Sequence, residues 1–385
     1  MTVTAPSGFR AAGVAAGIKS TGALDLAVLV NDGPRQDAAG VFTTNKVQAA
    51  PVLWSRQVLT TGRLRAVVLN SGGANACTGA QGFQTTHATA ERAAELLGCG
   101  AAEIAVCSTG LIGAQLPRDA VLAGVESATK QLSEAGQAAT DAATAILTTD
   151  SHPKQALRRA DGWQVGGFAK GAGMIAPNMA TMLAVLTTDA VVDPGELDAA
   201  LRAASSRTFD RFDVDGCTST NDTVLLLASG ASGVTVRGAQ LTEMVTRVCS
   251  DLVDQLQADA EGATKHVTVT VRGALTETEA VTVARGIARD SLVKTAFFGS
   301  DPNWGRIAMA VGNCAATIDM HRLEIGMNGV TLCLDGQARG DRHAADLSGR
   351  DIAVLVDLHV GDAEASVRTT DLSHAYVEEN SAYSS

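Results

Sequence analysis

Aromatic residues are scarce. Phe, Trp and Tyr make up 3% of the 385 positions, against 46% for all apolar residues. A sizeable core must then be built from Ala, Val, Leu and Ile, which favours close layer packing over stacked rings. Basic runs are absent too, and the net charge is -11, from 30 basic and 41 acidic residues. That balance disfavours nucleic acid and anionic membranes as partners, although a local Lys can still bind a small anion. No stretch approaches the ~20 uncharged apolar residues of a membrane span. The N-terminal M-T-V-T-A-P-S-G-F-R lacks the basic and apolar regions of a signal peptide. The seven Cys contain no C-x-x-C pair. Their odd count and apolar neighbours predict reduced core thiols and a cytoplasmic chain. The seven His show neither H-x-x-x-H nor H-E-x-x-H spacing, so no metal site is expected.

What is present is an alternation of short apolar runs with helical patterns. R-A-V-V-L-N (65–70), E-I-A-V-C (103–107), M-L-A-V-L-T (182–187), T-V-L-L-L-A (223–228), H-V-T-V-T-V (266–271) and R-I-A-M-A-V (306–311) read as strands. Helical spacing runs through 85–97, 119–147 (one helix or two), 194–206, 241–260 and 277–292. The last sixty residues read as a strand meander with hairpin spacing. This grain predicts a layered α/β sandwich with mixed sheets. No repeat or low-complexity linker marks a domain border.

Two apparent ligand motifs fail on spacing. G-V-A-A-G-I-K-S-T-G resembles a phosphate loop, but three residues rather than four separate Gly13 from Gly17, and Ile18 intervenes before Lys19. T-F-D-R-F-D-V-D-G-C-T-S-T-N-D-T carries four Asp without the spacing of a calcium loop, and reads as a turn region near a site. Asp301, Asn303 and Arg306 in S-D-P-N-W-G-R read as residues that lock a loop.

The stretch K-G-A-G-M-I-A-P-N-M-A-T-M-L places small residues, a Pro-Asn pair and a lone Thr ahead of an apolar run. A Thr hydroxyl needs a base to become a nucleophile, and its own α-amine, with a pKa of about 8, can serve once the chain is cut before it. Thr Oγ can make that cut by attacking the preceding carbonyl. Ala180 offers little bulk there, and Pro177 and Asn178 support a turn. On residue types alone an ordinary loop is the favoured reading. Acyl chemistry also needs oxyanion donors, for which C-S-T-G-L-I-G is a candidate through Thr109 and Gly110. A plain strand-to-helix turn is the alternative.

These motifs, with L-N-S-G-G-A-N-A-C-T-G, T-T-D-S-H-P-K, D-A-E-G-A-T-K, V-K-T-A-F-F-G-S-D-P-N-W-G-R and the terminal T-T-D-L-S-H-A-Y-V-E-E-N-S-A-Y-S-S, resemble the ornithine acetyltransferase family over nearly the whole chain. That resemblance implies an N-terminal-nucleophile-like fold and self-cleavage between Ala180 and Thr181. An α chain 1–180 and a β chain 181–385 would stay associated, as an α2β2 assembly. It implies Thr181 as the nucleophile carrying acetyl, with Thr109 and Gly110 as the oxyanion pair. Thr148, Lys170, Thr181, Glu261, Asn380 and Ser385 would contact the substrates, N2-acetylornithine and glutamate. It implies no cofactor; acetyl-CoA is a possible co-substrate, although no CoA motif is readable.

Without the family these residues have plainer readings: Lys170 a solvated charge, Thr148 a helix-end hydroxyl, Glu261 a helix-surface charge. Asn380 and Ser385 would lie in a disordered tail. A self-processing aminopeptidase or amidase, and a non-catalytic protein that binds a small molecule, remain the alternatives.

Overall fold

A computed structural model of the chain describes residues 2–174 and 182–382. It divides into two compact units, Met1–Asp210 with Cys217–Leu256, and Arg211–Gly216 with Gln257–Ser385. The expected cleavage position falls within the first unit's sequence and outside the described residues.

The strands of the first unit are β1 (Phe9–Val14), β2 (Leu26–Asn31), β3 (Asp37–Phe42), β4 (Ala66–Asn70), β5 (Ile104–Ser108), β6 (Lys154–Ala160), β7 (Trp163–Lys170), β8 (Leu183–Thr188) and β9 (Thr223–Ala228). Among the described residues they form one sheet in the order β1-β2-β4-β5 and another in the order β3-β9-β8-β7-β6. Both sheets are mixed: β4 with β5 and β8 with β9 run parallel, and the other pairs antiparallel. The helices are α1 (Ala50–Val58), α2 (Gly79–Leu97), α3 (Arg118–Lys130), α4 (Gly136–Ala145), α5 (Pro194–Arg207) and α6 (Gly238–Ala258).

Period-two alternation explains the layers. Ala27 and Leu29 of β2, Val67 and Leu69 of β4, and Ala105 and Cys107 of β5 share one core with Phe168, Val185, Leu225 and Leu227 of the other sheet. Their neighbours Val28, Val68 and Val106 face the opposite way, onto Ala90, Ala93 and Ala94 of α2 and Val121 and Val125 of α3. Small residues let the layers approach. A Cβ on Gly13 of β1 would lie 2.2 Å from the Asp141 carbonyl of α4. Helix α5 begins as its sequence predicts, with Pro194 in the first turn and the Asp193 carboxylate accepting from the Gly195 amide at 2.8 Å.

The second unit contains β10 (His266–Ala274), β11 (Glu324–Met327), β12 (Val330–Leu334), β13 (Gln337–Ala338), β14 (Asp351–Asp357) and β15 (Ala363–Thr370), with α7 (Glu277–Arg289), α8 (Ser291–Phe298), α9 (Trp304–Gly312) and α10 (His374–Ala382). Its sheet order is β13-β12-β11-β14-β10-β15. The expected hairpins are there. Asn328-Gly329 and Asp335-Gly336 supply the consecutive positive φ angles that tight turns between twisted strands require. Val269, Val271, Val354 and Val356 pack beneath Ala280, Val283 and Ile287 of α7.

Several sequence readings need correction. R-I-A-M-A-V (306–311) lies in helix α9, not a strand. The Asn303 side chain caps its first turn, and Ile307, Ala310 and Val311 are buried at helical intervals. The pattern 277–292 is broken at Asp290, whose side chain caps α8. The C-terminal segment is helix α10 through Ala382 rather than a disordered tail. The cysteines are not uniformly in the core: Cys107, Cys249 and Cys333 are buried, but Cys77 and Cys217 are exposed. No helix among the described residues is long and apolar enough to cross a membrane.

Candidate functional site

Parallel strands β4 and β5 end side by side, and the turns that leave them lean on one another. Gly73 donates its amide to the Thr109 carbonyl at 3.0 Å, and Thr109 donates its own to the Asn70 carbonyl at 2.9 Å. Ser108 Oγ donates to Asn70 Oδ1 at 2.6 Å. Gly110 sits at φ 129, where a Cβ would meet the Gly73 nitrogen at 2.5 Å, so only glycine fits. Thr109 is fully buried, and its hydroxyl has no hydrogen-bond partner among the described residues. A buried unpaired hydroxyl is costly in a finished fold.

A second cluster gathers where β7 ends. Lys170 Nζ donates to Thr148 Oγ1 at 2.7 Å and lies 3.3 Å from Asp150 Oδ2. The other Asp150 oxygen accepts from Lys154 Nζ and the Gly171 amide, both at 2.6 Å. Burial pushes the Asp150 carboxyl up, but Lys170, Lys154 and the Gly171 amide outweigh it and hold it well below the usual carboxylate range. Half-buried Lys19 donates to the Leu147 carbonyl at 2.7 Å. Its pKa is lowered by burial first and by Lys170, against the pull of Asp25 and Asp150. Asp150 is shared by Lys19, Lys154 and Lys170, while Asp25 also pulls on Lys19.

The residues S-T-N-D just before β9 join the two clusters. Asn221 Nδ2 donates to the carbonyls of Ala74 at 2.6 Å and Ser108 at 2.8 Å. Asp222 Oδ1 accepts the Met182 amide at 3.0 Å, immediately before β8. Asp222 is completely buried, and its Oδ2 has no hydrogen-bond partner among the described residues. Burial raises its pKa well above the usual carboxyl value, against lowering by Ser219 and Lys170.

Of the residues singled out in the sequence, Thr148 and Lys170 are therefore bonded to one another, and Thr109 and Gly110 form the strand-end turn. Ala180, Thr181 and Ser385 lie outside the described residues. Glu261 and Asn380 belong to the second unit. Glu261 precedes Gly262, where a Cβ would meet the Tyr376 amide at 2.1 Å, so its turn is pressed against the start of α10. Asn380 donates back to the Tyr376 carbonyl at 3.0 Å within that helix. Asn303 and Arg306 hold helix ends, Arg306 donating to the Leu292 carbonyl at 2.6 Å. Sequence reasoning missed Asp150, Asn221 and Asp222. Asp150 closes the T-T-D motif, and the other two end the Asp-rich stretch, but neither pattern says which carboxylate is buried.

Two further features are found among the described residues. A concavity of about 470 Å³ in the first unit is lined by Arg159, Trp163, Val234, Glu243 and Arg247. In the second unit, the ligand atoms of Glu324, Asp357 and His359 lie within 4.8 Å of one another, a grouping that no sequence spacing announced. Asp357 is already paired with Arg272 Nε at 2.6 Å.

The fold and the polar groups gathered at its strand ends are those of a layered α/β enzyme. The chain matches the ArgJ family over residues 10–385. It is 62% identical over 389 aligned positions to the arginine biosynthesis bifunctional protein ArgJ of Mycobacterium tuberculosis strain H37Rv, covering 100% of this chain and 96% of that one. It is 58% identical to the protein of the same name from Streptomyces coelicolor, covering 100% of both. The crystal structure of a Mycobacterium tuberculosis ornithine acetyltransferase complexed with ornithine aligns at 62% identity and TM-score 0.46, over 46% of this chain and 96% of that one. The chain belongs to the ArgJ family of bifunctional arginine-biosynthesis proteins, and is an acyltransferase.

Proposed function

We propose that the chain cuts itself between Ala180 and Thr181 and then transfers acetyl from N2-acetylornithine to glutamate through an ester on Thr181. In the first half-reaction Thr181 Oγ attacks the acetyl carbonyl, and its own α-amine takes the hydroxyl proton. The Thr109 hydroxyl and the Gly110 amide hold the oxyanion. The C–N bond breaks, the α-amine passes the proton to the departing nitrogen, and ornithine leaves. The glutamate amine then attacks the ester, restoring the Thr181 hydroxyl and releasing N-acetylglutamate.

The single observation that carries this reading is the fully buried Thr109 hydroxyl without a partner, beside a Gly110 that admits no side chain. The Lys170 ammonium and the Thr148 hydroxyl are donors suited to the substrate carboxylate. Glu261, Asn380 and Ser385 complete the substrate contacts in this reading. The α chain 1–180 and β chain 181–385 form an α2β2 assembly in the cytoplasm. No cofactor is required, and acetyl-CoA serves as a second acetyl donor.

Intact-mass spectrometry and a denaturing gel test the proposal. Wild type should give two chains, and Thr181→Ala one. Given N2-acetylornithine without glutamate, wild type should gain one acetyl group on the chain beginning at residue 181. Acetyl exchange by Thr181→Ala would overturn the reading. Release of acetate at a rate indifferent to glutamate would favour a hydrolase instead.

A further inference from the structure

The loop between β1 and β2 contains the stretch that resembles a phosphate loop and fails on spacing. Several of its amides turn inward. The Ala16 amide donates to Asp25 Oδ1 at 2.6 Å, and the Ile18 and Lys19 amides donate to Oδ2 at 2.7 and 2.9 Å. Asp25 is fully buried, so the loop folds around its own carboxylate rather than around a phosphate. What it presents instead is the Lys19 side chain. The stem lies against the turn after β4, where a Cβ on Gly72 would be 3.3 Å from Lys19 Cγ. The next residue in that turn, Gly73, is bonded to Thr109. The Lys19 ammonium donates to the Leu147 carbonyl at 2.7 Å and to the Leu24 carbonyl at 3.3 Å. Leu147 adjoins Thr148, whose hydroxyl accepts from Lys170 at 2.7 Å. Lys19 thus touches both the turn that holds Thr109 and the segment that carries Thr148.

An ammonium carries three N–H donors, and two of those on Lys19 find acceptors among the described residues. Lys154 and Lys170 each reach Asp150, at 2.6 and 3.3 Å. Asp25 and Asp150 attract Lys19 as well, but it makes direct ion-pair contact with no carboxylate among the described residues. Burial and Lys170 both disfavour its charge, so an anion arriving here would stabilise it. We propose that Lys19 donates its third N–H to the carboxylate of N2-acetylornithine, as a further binding residue beside Lys170 and Thr148. This rests on the reading of Lys170 and Thr148 as the carboxylate end of the site.

The test is Lys19→Met, which keeps an unbranched stem against Gly72 and removes the charge. Wild type and variant are each given N2-acetylornithine and the same donor with a carboxamide in place of its carboxylate. Wild type should prefer the acid. In Lys19→Met, KM for the acid should rise about tenfold or more with kcat within about twofold, because the lost contact is made equally in the ground and transition states. KM for the carboxamide should change by less than about twofold, so the preference for the acid falls by about tenfold. A lysine that only braced the loop would weaken both donors alike. If Lys19→Met does not fold, Lys19→Gln takes its place with the same readouts. The two ideas fail differently. Wild type that takes both donors equally well overturns the carboxylate reading itself, whereas a wild-type preference undiminished in the variant overturns only the role of Lys19.

Discussion

Asn221 and Ser108 lie 113 positions apart in the sequence, yet the Asn221 amide donates to the Ser108 carbonyl at 2.8 Å. The bond fastens the approach to β9 onto the turn that presents Thr109 and Gly110. The same nitrogen holds the Ala74 carbonyl at 2.6 Å. Asn221→Ala leaves both buried carbonyls unpaired and should cost about 1–3 kcal/mol in a urea melt. Because it loosens the proposed oxyanion turn, kcat should fall about tenfold or more, with a smaller change in KM.

Thr109→Ala offers the opposite combination. Its hydroxyl has no partner to lose among the described residues, so the melting temperature should stay level or rise. Loss of an oxyanion donor should lower kcat by about 10²–10³-fold. Thr109→Ser should recover part of the rate. A Thr109→Ala enzyme with unchanged kcat would remove this hydroxyl from the mechanism.

Asp150→Ala strips a shared carboxylate from two ammonium groups whose side chains are 0% and 2% exposed. A loss of about 3–5 kcal/mol is expected on equilibrium unfolding. The pH dependence follows from the lowered carboxyl. Between its native value and the ordinary value near 4, the unfolded chain binds the extra proton. The stabilisation is therefore complete above that ordinary range and is lost as pH falls through the native value. Asp150→Ala should flatten this acid limb of stability.

Asp222 has the reverse sign. In a Thr181→Ala chain, which the proposed reading leaves uncut, its carboxyl is buried with a raised pKa, so the native chain holds a proton that the unfolded chain releases. Stability should fall as pH rises from about 4 toward the raised value, by about 1.4 kcal/mol per unit within that window. Adding Asp222→Asn should abolish that slope. Parallel urea melts of the two chains from pH 4 to 8 provide the comparison.

Much of the architecture was legible from residue order, because its causes are local. Alternating apolar residues made β10 readable, the helical pattern from Pro194 matched α5, and the close spacing of the last short strands pointed to hairpins. R-I-A-M-A-V misled because a short apolar run suits strand or helix equally, and the Asn303 cap settled it. Thr109, Gly110, Thr148 and Lys170 were named from motifs. No motif told that Thr109 would be left without a partner, or that Lys170 would share Asp150 with Lys154.

Order along the chain determined the alternation of strands and helices, the mostly aliphatic layering and the turn chemistry, since each depends on residues within a few positions of one another. Tertiary structure alone decided which carboxylates are dry and how they are charged. Asp150 meets two ammonium groups, which hold its carboxyl low, whereas burial pushes the Asp222 carboxyl up. Burial removes water's ability to level such differences, and only the folded chain sets which charges then face each other.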